Sequence, residues 1–333
     1  MDASELQQGL FQVIKENIPA NVSATEEIAR VLDVSVDSVY RRMRGEKTIS
    51  LDELYKLSSH YKISLDQLMD LQTGAFQFRG NFLNNKTFRY DNYLNGMIRD
   101  LTYMSSFKNK EIYNLCKDVP IFNHFHVREI AAFKYFFWMK TFFNFPEFEH
   151  SQFSFDLYPD ELNVLGKKAL ALYNQFPTTE LWNVENINIA IRQIEFYRES
   201  QIFKSDDDVF RLYESWEKVI DHIERQAERG YKFAYGDPDM KPISSYRVYF
   251  NEVILGDNSF IALLDDSKIC FSVHTVINYM STRDVKFCEN MYDYIQSLMK
   301  RSTLISKVSE KERSKFFRIL RERIGRRKDT LKL

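Results

Sequence analysis

Apolar residues in the first seventy positions recur at i, i+3, i+4 and i+7, the stripe of a helix resting on a core. Five such runs are predicted, at about 4–17, 24–32, 36–44, 51–61 and 65–70. Capping-box signatures open four of them, at Ser4-Glu-Leu-Gln7, Ser23-Ala-Thr-Glu26, Ser50-Leu-Asp-Glu53 and Ser64-Leu-Asp-Gln67, and Ser35 supplies an N-cap for the third helix. In that helix Val36, Val39, Tyr40 and Met43 fall within an arc of about 100° and predict its packed face. Asp37, Arg41 and Arg44 group on one flank, Ser38 and Arg42 on the other.

After Leu71 the rhythm lapses. The stretch QTGAFQFRGNFLNNKTFRYDN gathers Gly and Asn and predicts a linker over 73–89. Helical patterns return over 90–230, notably Pro159 to Phe176, Thr179 to Phe203 and Asp206 to Arg229. From Ser245 to Thr275, β-branched and aromatic runs are broken by Gly256-Asp257-Asn258 and Asp265-Asp266-Ser267, which predicts a three-stranded antiparallel meander. Two more helices follow, at about Asp284 to Ser302 and Ser309 to Gly325. The pattern therefore predicts a mainly α chain with a small antiparallel β element, an α+β class. Its parts are a five-helix domain (1–72), a linker (73–89) and a larger, mostly helical domain (90–333).

Composition supports that division. A chain of 333 residues exceeds one ordinary core, and 44% apolar residues suffice for two. Scarcity of Gly (10) and Pro (7) favours helix. Cys116, Cys270 and Cys288 form no CxxC pair, so neither a disulfide framework nor a zinc site is expected, and a reducing cytoplasm fits. The start MDASELQQGL has no basic and apolar leader pattern. The most apolar window, Ile130 to Phe145, is too short to span a bilayer and carries Lys134 and Lys140, so it reads as a buried helix and no membrane partner is expected.

The net charge of −1 says little, but its distribution says more. Met1 to Gln72 holds eight Lys plus Arg against twelve Asp plus Glu, yet Arg41, Arg42, Arg44 and Lys47 lie within seven positions. Such a run is most often a solvated helix face. Here the two helices joined by Asp33-Val34-Ser35 have the spacing of a helix-turn-helix, whose second helix enters a DNA major groove. Caps, turn and core spacing agree with one another.

The stretch TEEIARVLDVSVDSVYRRMRGE, Thr25 to Glu46, resembles the helix-turn-helix of the XRE/Cro-like phage-repressor family. Ile28, Ala29 and Leu32 match the packing face of the first helix of the pair, Val34 the apolar turn position, Val39 the buried anchor and Gly45 the glycine that ends the recognition helix. Two positions depart from the family: Asp33 stands where Gly is usual, and Arg42 where a large apolar residue is common. The resemblance implies base-edge contacts from Val36, Asp37, Tyr40 and Arg41, with Arg44 at the groove edge. It assigns phosphates to Thr25, Lys47 and Thr48. It implies a bacterial homodimer binding double-stranded DNA, a regulator of transcription and most simply a repressor, whose larger domain dimerises and responds to a small-molecule or peptide effector. The alternative is a helical-repeat module for peptides or proteins carrying a DNA-binding head.

No catalytic residues, cofactor-binding motif or metal ligands are predicted: GxGxxG, the Walker lysine motif, GxSxG and the kinase set do not occur. His124-Phe-His126 with His150 or Glu129 is a weak metal pattern without a Cys cluster or HExxH. The aromatic band from Phe133 to Phe148 reads first as core. The segment Lys311 to Lys332, ten basic residues against three acidic, reads as a solvated helix or a second phosphate-contacting surface.

Overall fold

A computed structural model describes residues 2–18, 22–69, 76–80, 83–253, 256, 258–275 and 277–331. The chain divides into two compact units, Met1–Gln77 and Phe78–Leu333. The first holds α1 (Ala3–Asn17), α2 (Ala24–Leu32), α3 (Val36–Met43), α4 (Leu51–Tyr61) and the single turn α5 (Leu65–Leu68). Leu10, Phe11, Ile14, Ile28, Leu32, Val39 and Leu57 make its core. Ser50 and Glu53 form the expected reciprocal cap of α4. At α1 the cap is Asp2 with Glu5, and not Ser4. Gln7 is released for another task. Asp33 ends α2 with φ +55° and ψ +52°, so the tight turn takes the left-handed conformation that Asp tolerates better than most residues.

The second unit corrects the expected fold class. Its described residues hold an eight-stranded mixed sheet and not a small three-stranded meander. In chain order it runs α6 (Tyr90–Ser105), β1 (Lys110–Leu115), a 3-10 turn at Ile121–His126, α7 (Arg128–Phe137), α8 (Asp160–Tyr173), β2 (Thr178–Trp182), α9 (Asn188–Glu199) and α10 (Asp206–Arg229). There follow β3 (Tyr231–Lys232), β4 (Ser244–Phe250), β5 (Ser259–Leu264), β6 (Ser267–Thr275), β7 (Asn278–Thr282), α11 (Val285–Lys300), β8 (Thr303–Leu304) and α12 (Glu310–Asp329). Strand order is β3-β4-β2-β1-β5-β6-β7, with β8 beside β4. Strands β1, β2 and β4 are parallel neighbours and the remaining pairs are antiparallel.

Two strands thus lie inside the block expected to be helical over 90–230, and Thr178–Trp182 is a strand where a helix was predicted to begin at Thr179. The Ser245–Thr275 segment does form strands, but β4 joins β2 and not β5, because β1 and β2 intervene. A true antiparallel meander exists one strand later, as β5-β6-β7. Of the expected Gly256-Asp257-Asn258 turn, Asp257 lies outside the described residues. Within the expected linker over 73–89, two described residues belong to the second unit's fold. Arg79 bridges to Ser281 of β7, and Phe88 is buried in the core of the second unit.

Alternation along the strands explains the layers. Ile112, Trp182, Val248 and Ala262 face a large core with α6–α10 and α12, while Tyr113, Leu181, Tyr249 and Ile261 face a smaller one with α11. The helices of 90–230 therefore pack on a sheet and do not stack as a repeat array. Central β2 also buries a carboxyl group. Glu180, 1% exposed, accepts hydrogen bonds from Tyr173 Oη (2.7 Å), Trp182 Nε1 (2.8 Å) and Tyr246 Oη (2.6 Å). Lys232 is buried beside it, donating to Thr178 Oγ1 at 2.7 Å, and burial pulls its ammonium down to about 7.

Three buried histidines set an acid limit on this unit. Burial holds His124 and His126 well below the ordinary imidazole value of 6.5 and takes His222 to about 4. Each stays uncharged in the fold and charges freely when unfolded, so below pH 6.5 the unfolded chain binds more protons and stability falls as pH falls. We expect a loss of roughly 1 kcal/mol per pH unit per histidine between pH 6.5 and 5. Thermal unfolding followed by fluorescence of Trp138, Trp182 and Trp216, all in this unit, measures it. The slope flattens in His222→Gln, and a pH-independent midpoint over that range would contradict the assignment.

Candidate nucleic-acid interface

The roll of α3 about its axis decides which side chains can meet a partner. The helix starts at Ser35, whose hydroxyl accepts from Ser38 N at 3.3 Å, and ends before Gly45, whose φ is +79°. Val39 is fully buried, Met43 is half-buried, and Arg42 is only 2% exposed. Val36 and Tyr40, expected on the packed face, are 38% and 47% exposed. The buried face is therefore Ser38, Val39, Arg42 and Met43. Counting 100° per residue, Val36, Tyr40, Arg44, Asp37 and Arg41 share the opposite arc of about 140°.

Arg42 takes the apolar position by bringing its own partners. Its guanidinium reaches Glu53 of α4 through Nη2 (2.5 Å) and Nε (3.2 Å), and Nη1 donates to the Ser38 carbonyl (3.0 Å) and hydroxyl. The hydrogen bond from Arg42 is the main cause that holds the Glu53 carboxyl below its usual range. A planar two-point pair of this kind satisfies both charges in one place. Gln7 fixes the other end: its amide donates to the carbonyls of Arg42 (2.7 Å) and Lys47 (2.8 Å) and accepts from Ile49 N (2.9 Å). The helix and the loop after it are tied to α1 and α4, and the exposed arc is held at a fixed orientation.

On that arc Arg41 and Arg44 converge on Glu46. Arg44 Nε is 2.7 Å and Arg41 Nε 3.9 Å from its carboxylate. The Arg44 hydrogen bond holds Glu46 below the usual carboxylate range. Both guanidinium groups are more than half exposed, so the pairs are solvent-screened and easily exchanged. Lys47 and Thr48 are exposed in the loop that Gln7 pins, and Thr25 is half-buried in the first turn of α2, its hydroxyl 3.2 Å from that of Ser23. All eight residues singled out in the sequence therefore lie on the α2–α3–loop surface, five of them along one side of α3. Glu46 is the member that sequence reasoning passed over; an acid two residues beyond Arg44 is its only signal.

The other candidates separate. His124 lies beside Trp138 and Trp216, whereas His126 packs on His222 with ring centroids 4.6 Å apart. Among the described residues no group of three His, Cys, Asp or Glu could hold a metal ion. In α12, Arg321 binds Asp221 and Glu224, Arg323 binds Glu185, and Lys328 binds Glu217, so much of its charge is spent on α10 and the loop before α9. Within the aromatic band Phe133, Phe136, Phe137 and Trp138 are core, while Phe142 is 45% exposed. Among the described residues no helix is long and apolar enough to cross a membrane.

A buried helix pair, a tight left-handed turn and a second helix with an exposed arc make up a helix-turn-helix, the arrangement found in one type of DNA-binding domain. In agreement, residues 9–80 match the family model of the BetR domain, a domain of that type. The match covers about a fifth of the chain and describes what the first unit is similar to. Comparison with curated proteins and with solved structures found no match.

Because Arg42 and Glu53 are buried together, removing one partner leaves the other desolvated. Arg42→Ala is expected to destabilise the first unit by about 2–4 kcal/mol, and Arg42→Leu by clearly less, since an apolar side chain refills the site. Amide hydrogen exchange in α1–α4 of the full chain reads both; equal effects of the two substitutions would contradict the role given to the pair.

Proposed function

We propose that the chain is a sequence-specific regulator of transcription, a member of the XRE/Cro-like helix-turn-helix class, that binds double-stranded DNA with α3 in the major groove. The observation that carries this reading is the exposed arc of Val36, Asp37, Tyr40, Arg41 and Arg44 on a helix whose opposite side is locked by Val39 and the Arg42–Glu53 pair. Similarity of residues 9–80 to the BetR domain supports it independently. Arg41 is suited to the two acceptors of guanine, Asp37 to the amino group of cytosine, Tyr40 to a neighbouring base edge and Val36 to the methyl of thymine. Thr25, Lys47 and Thr48 flank the helix where phosphates pass, and Arg44 stands at the groove edge. In free protein Glu46 occupies the arginines; on DNA the phosphates and base edges replace it.

The protein acts in this reading as a homodimer in a bacterial cytoplasm. It presents two copies of α3 about 34 Å apart to a two-fold-symmetric operator and represses by occupancy. Selection of full-length protein against random duplexes at two salt concentrations, beside Arg41→Ala, tests the proposal. A palindromic motif is expected to be enriched by the native chain, with the variant binding it about 5- to 100-fold more weakly and losing preference at one base pair of each half-site. Weak, salt-sensitive retention without a motif, or an unchanged motif and affinity in Arg41→Ala, would overturn it.

A further inference from the structure

The segments that leave the carboxyl ends of β1 and β2 wall a cavity of about 950 Å³ in the second unit. Such ends are where ligands bind in sheets with parallel strands, and the volume suits a drug-sized molecule. Asn114 of β1, the loop at 117–120, and Ile189 and Gln193 of α9 form one side; α6, the buried turn of α7 and strands β5–β7 form the rest.

The polar groups inside are few and specific. Lys134 of α7 is 1% exposed; its Nζ lies 2.9 Å from Gln193 Oε1 and 3.6 Å from Asp118 Oδ2. An ammonium has three protons to donate, so these two partners leave capacity for a third. His124, 3% exposed, also lines the cavity; the backbone of Val119 can serve one of its ring nitrogens, and among the described residues at least one makes no hydrogen bond. A buried polar group without a partner is costly and marks a place where a ligand can supply one. Around these groups the wall is aromatic: Phe122, Trp138 and the stacked pair Phe260–Phe271, with centroids 4.3 Å apart. Charged lining residues are Arg89, Arg99, Lys117 and Lys134 against Asp100 and Asp118, four positive to two negative. Burial disfavours a charge on His124, so it adds nothing to that excess; burial also lowers Lys134 and raises Asp118, each of which the other's charge opposes.

We propose that this cavity is a binding site for an organic acid with an aromatic body, its carboxylate held by Lys134 and His124 and its ring stacked among Phe122, Trp138, Phe260 and Phe271. The proposal does not depend on what the first unit binds. A neutral ligand leaves the excess charge and the spare Lys134 proton unused, whereas an acid engages both.

The test is calorimetric titration of the full chain with three acids, benzoate, 2-naphthoate and indole-3-acetate, and with their neutral amides. At least one acid is expected to bind with a dissociation constant below about 1 mM and at least about tenfold more tightly than its amide. Lys134→Met removes that preference. Because a buried lysine also holds Asp118 and Gln193, a second variant keeps the test decisive. Gly96 of α6 lines the cavity, and a Cβ there meets only Arg99 Nη2, at 3.7 Å. Gly96→Leu favours the helix, takes up part of the cavity beside α6 and is expected to weaken binding of acid and amide alike, with the far-ultraviolet dichroism unchanged. Equal binding of acids and amides, no binding of any acid, or full affinity in Gly96→Leu would each overturn the proposal.

Discussion

Burying Arg42 against Glu53 is the constraint from which the outward surface of α3 follows. A guanidinium at a core position must keep its charge paired, and only one roll of α3 brings it to the carboxylate of α4 while Val39 stays in the core. That roll turns Val36 and Tyr40 outward and lines them up with Asp37, Arg41 and Arg44. Gln7 adds the axial restraint through the carbonyls at the end of the helix. The surface is thereby organised before any partner arrives, which lowers the ordering cost of recognition. Glu46 keeps the exposed arginines engaged at little energetic depth, so they are ready to exchange it for a stronger anion.

The second unit depends on a comparable device deeper in its core. Three parallel strands need crossovers, and the helices that make them cover one face of the sheet while α11 covers the other. Glu180 sits on the middle strand, with donors from Tyr173, Trp182 and Tyr246 converging on it, so its carboxyl ties β2 to α8 and β4. The carboxyl ends of β1 and β2 then open onto the cavity that holds Lys134 and His124. Core and cavity use the same principle: a charged or polar group inside an aromatic shell is given fixed neighbours, and where a neighbour is missing a ligand has room to act.

Local signals made the first unit legible. Its helices are short, each is opened by a cap and closed by a turn residue such as Asp33 or Gly45, and the spacing of Ile28, Leu32 and Val39 is that of a helix pair. Periodicity places Arg42 on a polar flank and so misplaces the roll of α3; the partner that buries it, Glu53, lies eleven positions on and leaves no periodic signal. In the second unit the strands were lost for a related reason. KEIYNL and TTELW carry Glu111 and Glu180 where a strand pattern wants apolar residues, and their paired roles exist only in the fold. Pairing of β4 with β2 joins segments some seventy residues apart, which no local pattern encodes. Lys134 stands out in the sequence as a lysine among aromatic residues, but nothing local joins it to Gln193 or Asp118, its partners in the fold.

The central claim, that the outward arc of α3 and the loop after it meet DNA, is tested most directly by amide hydrogen exchange of the full chain with and without its selected duplex. The account predicts slowed exchange on DNA across residues 36–48 and at the start of α2, with α12 unchanged. Unaltered exchange at 36–48, or protection confined to the basic face of α12, would contradict it.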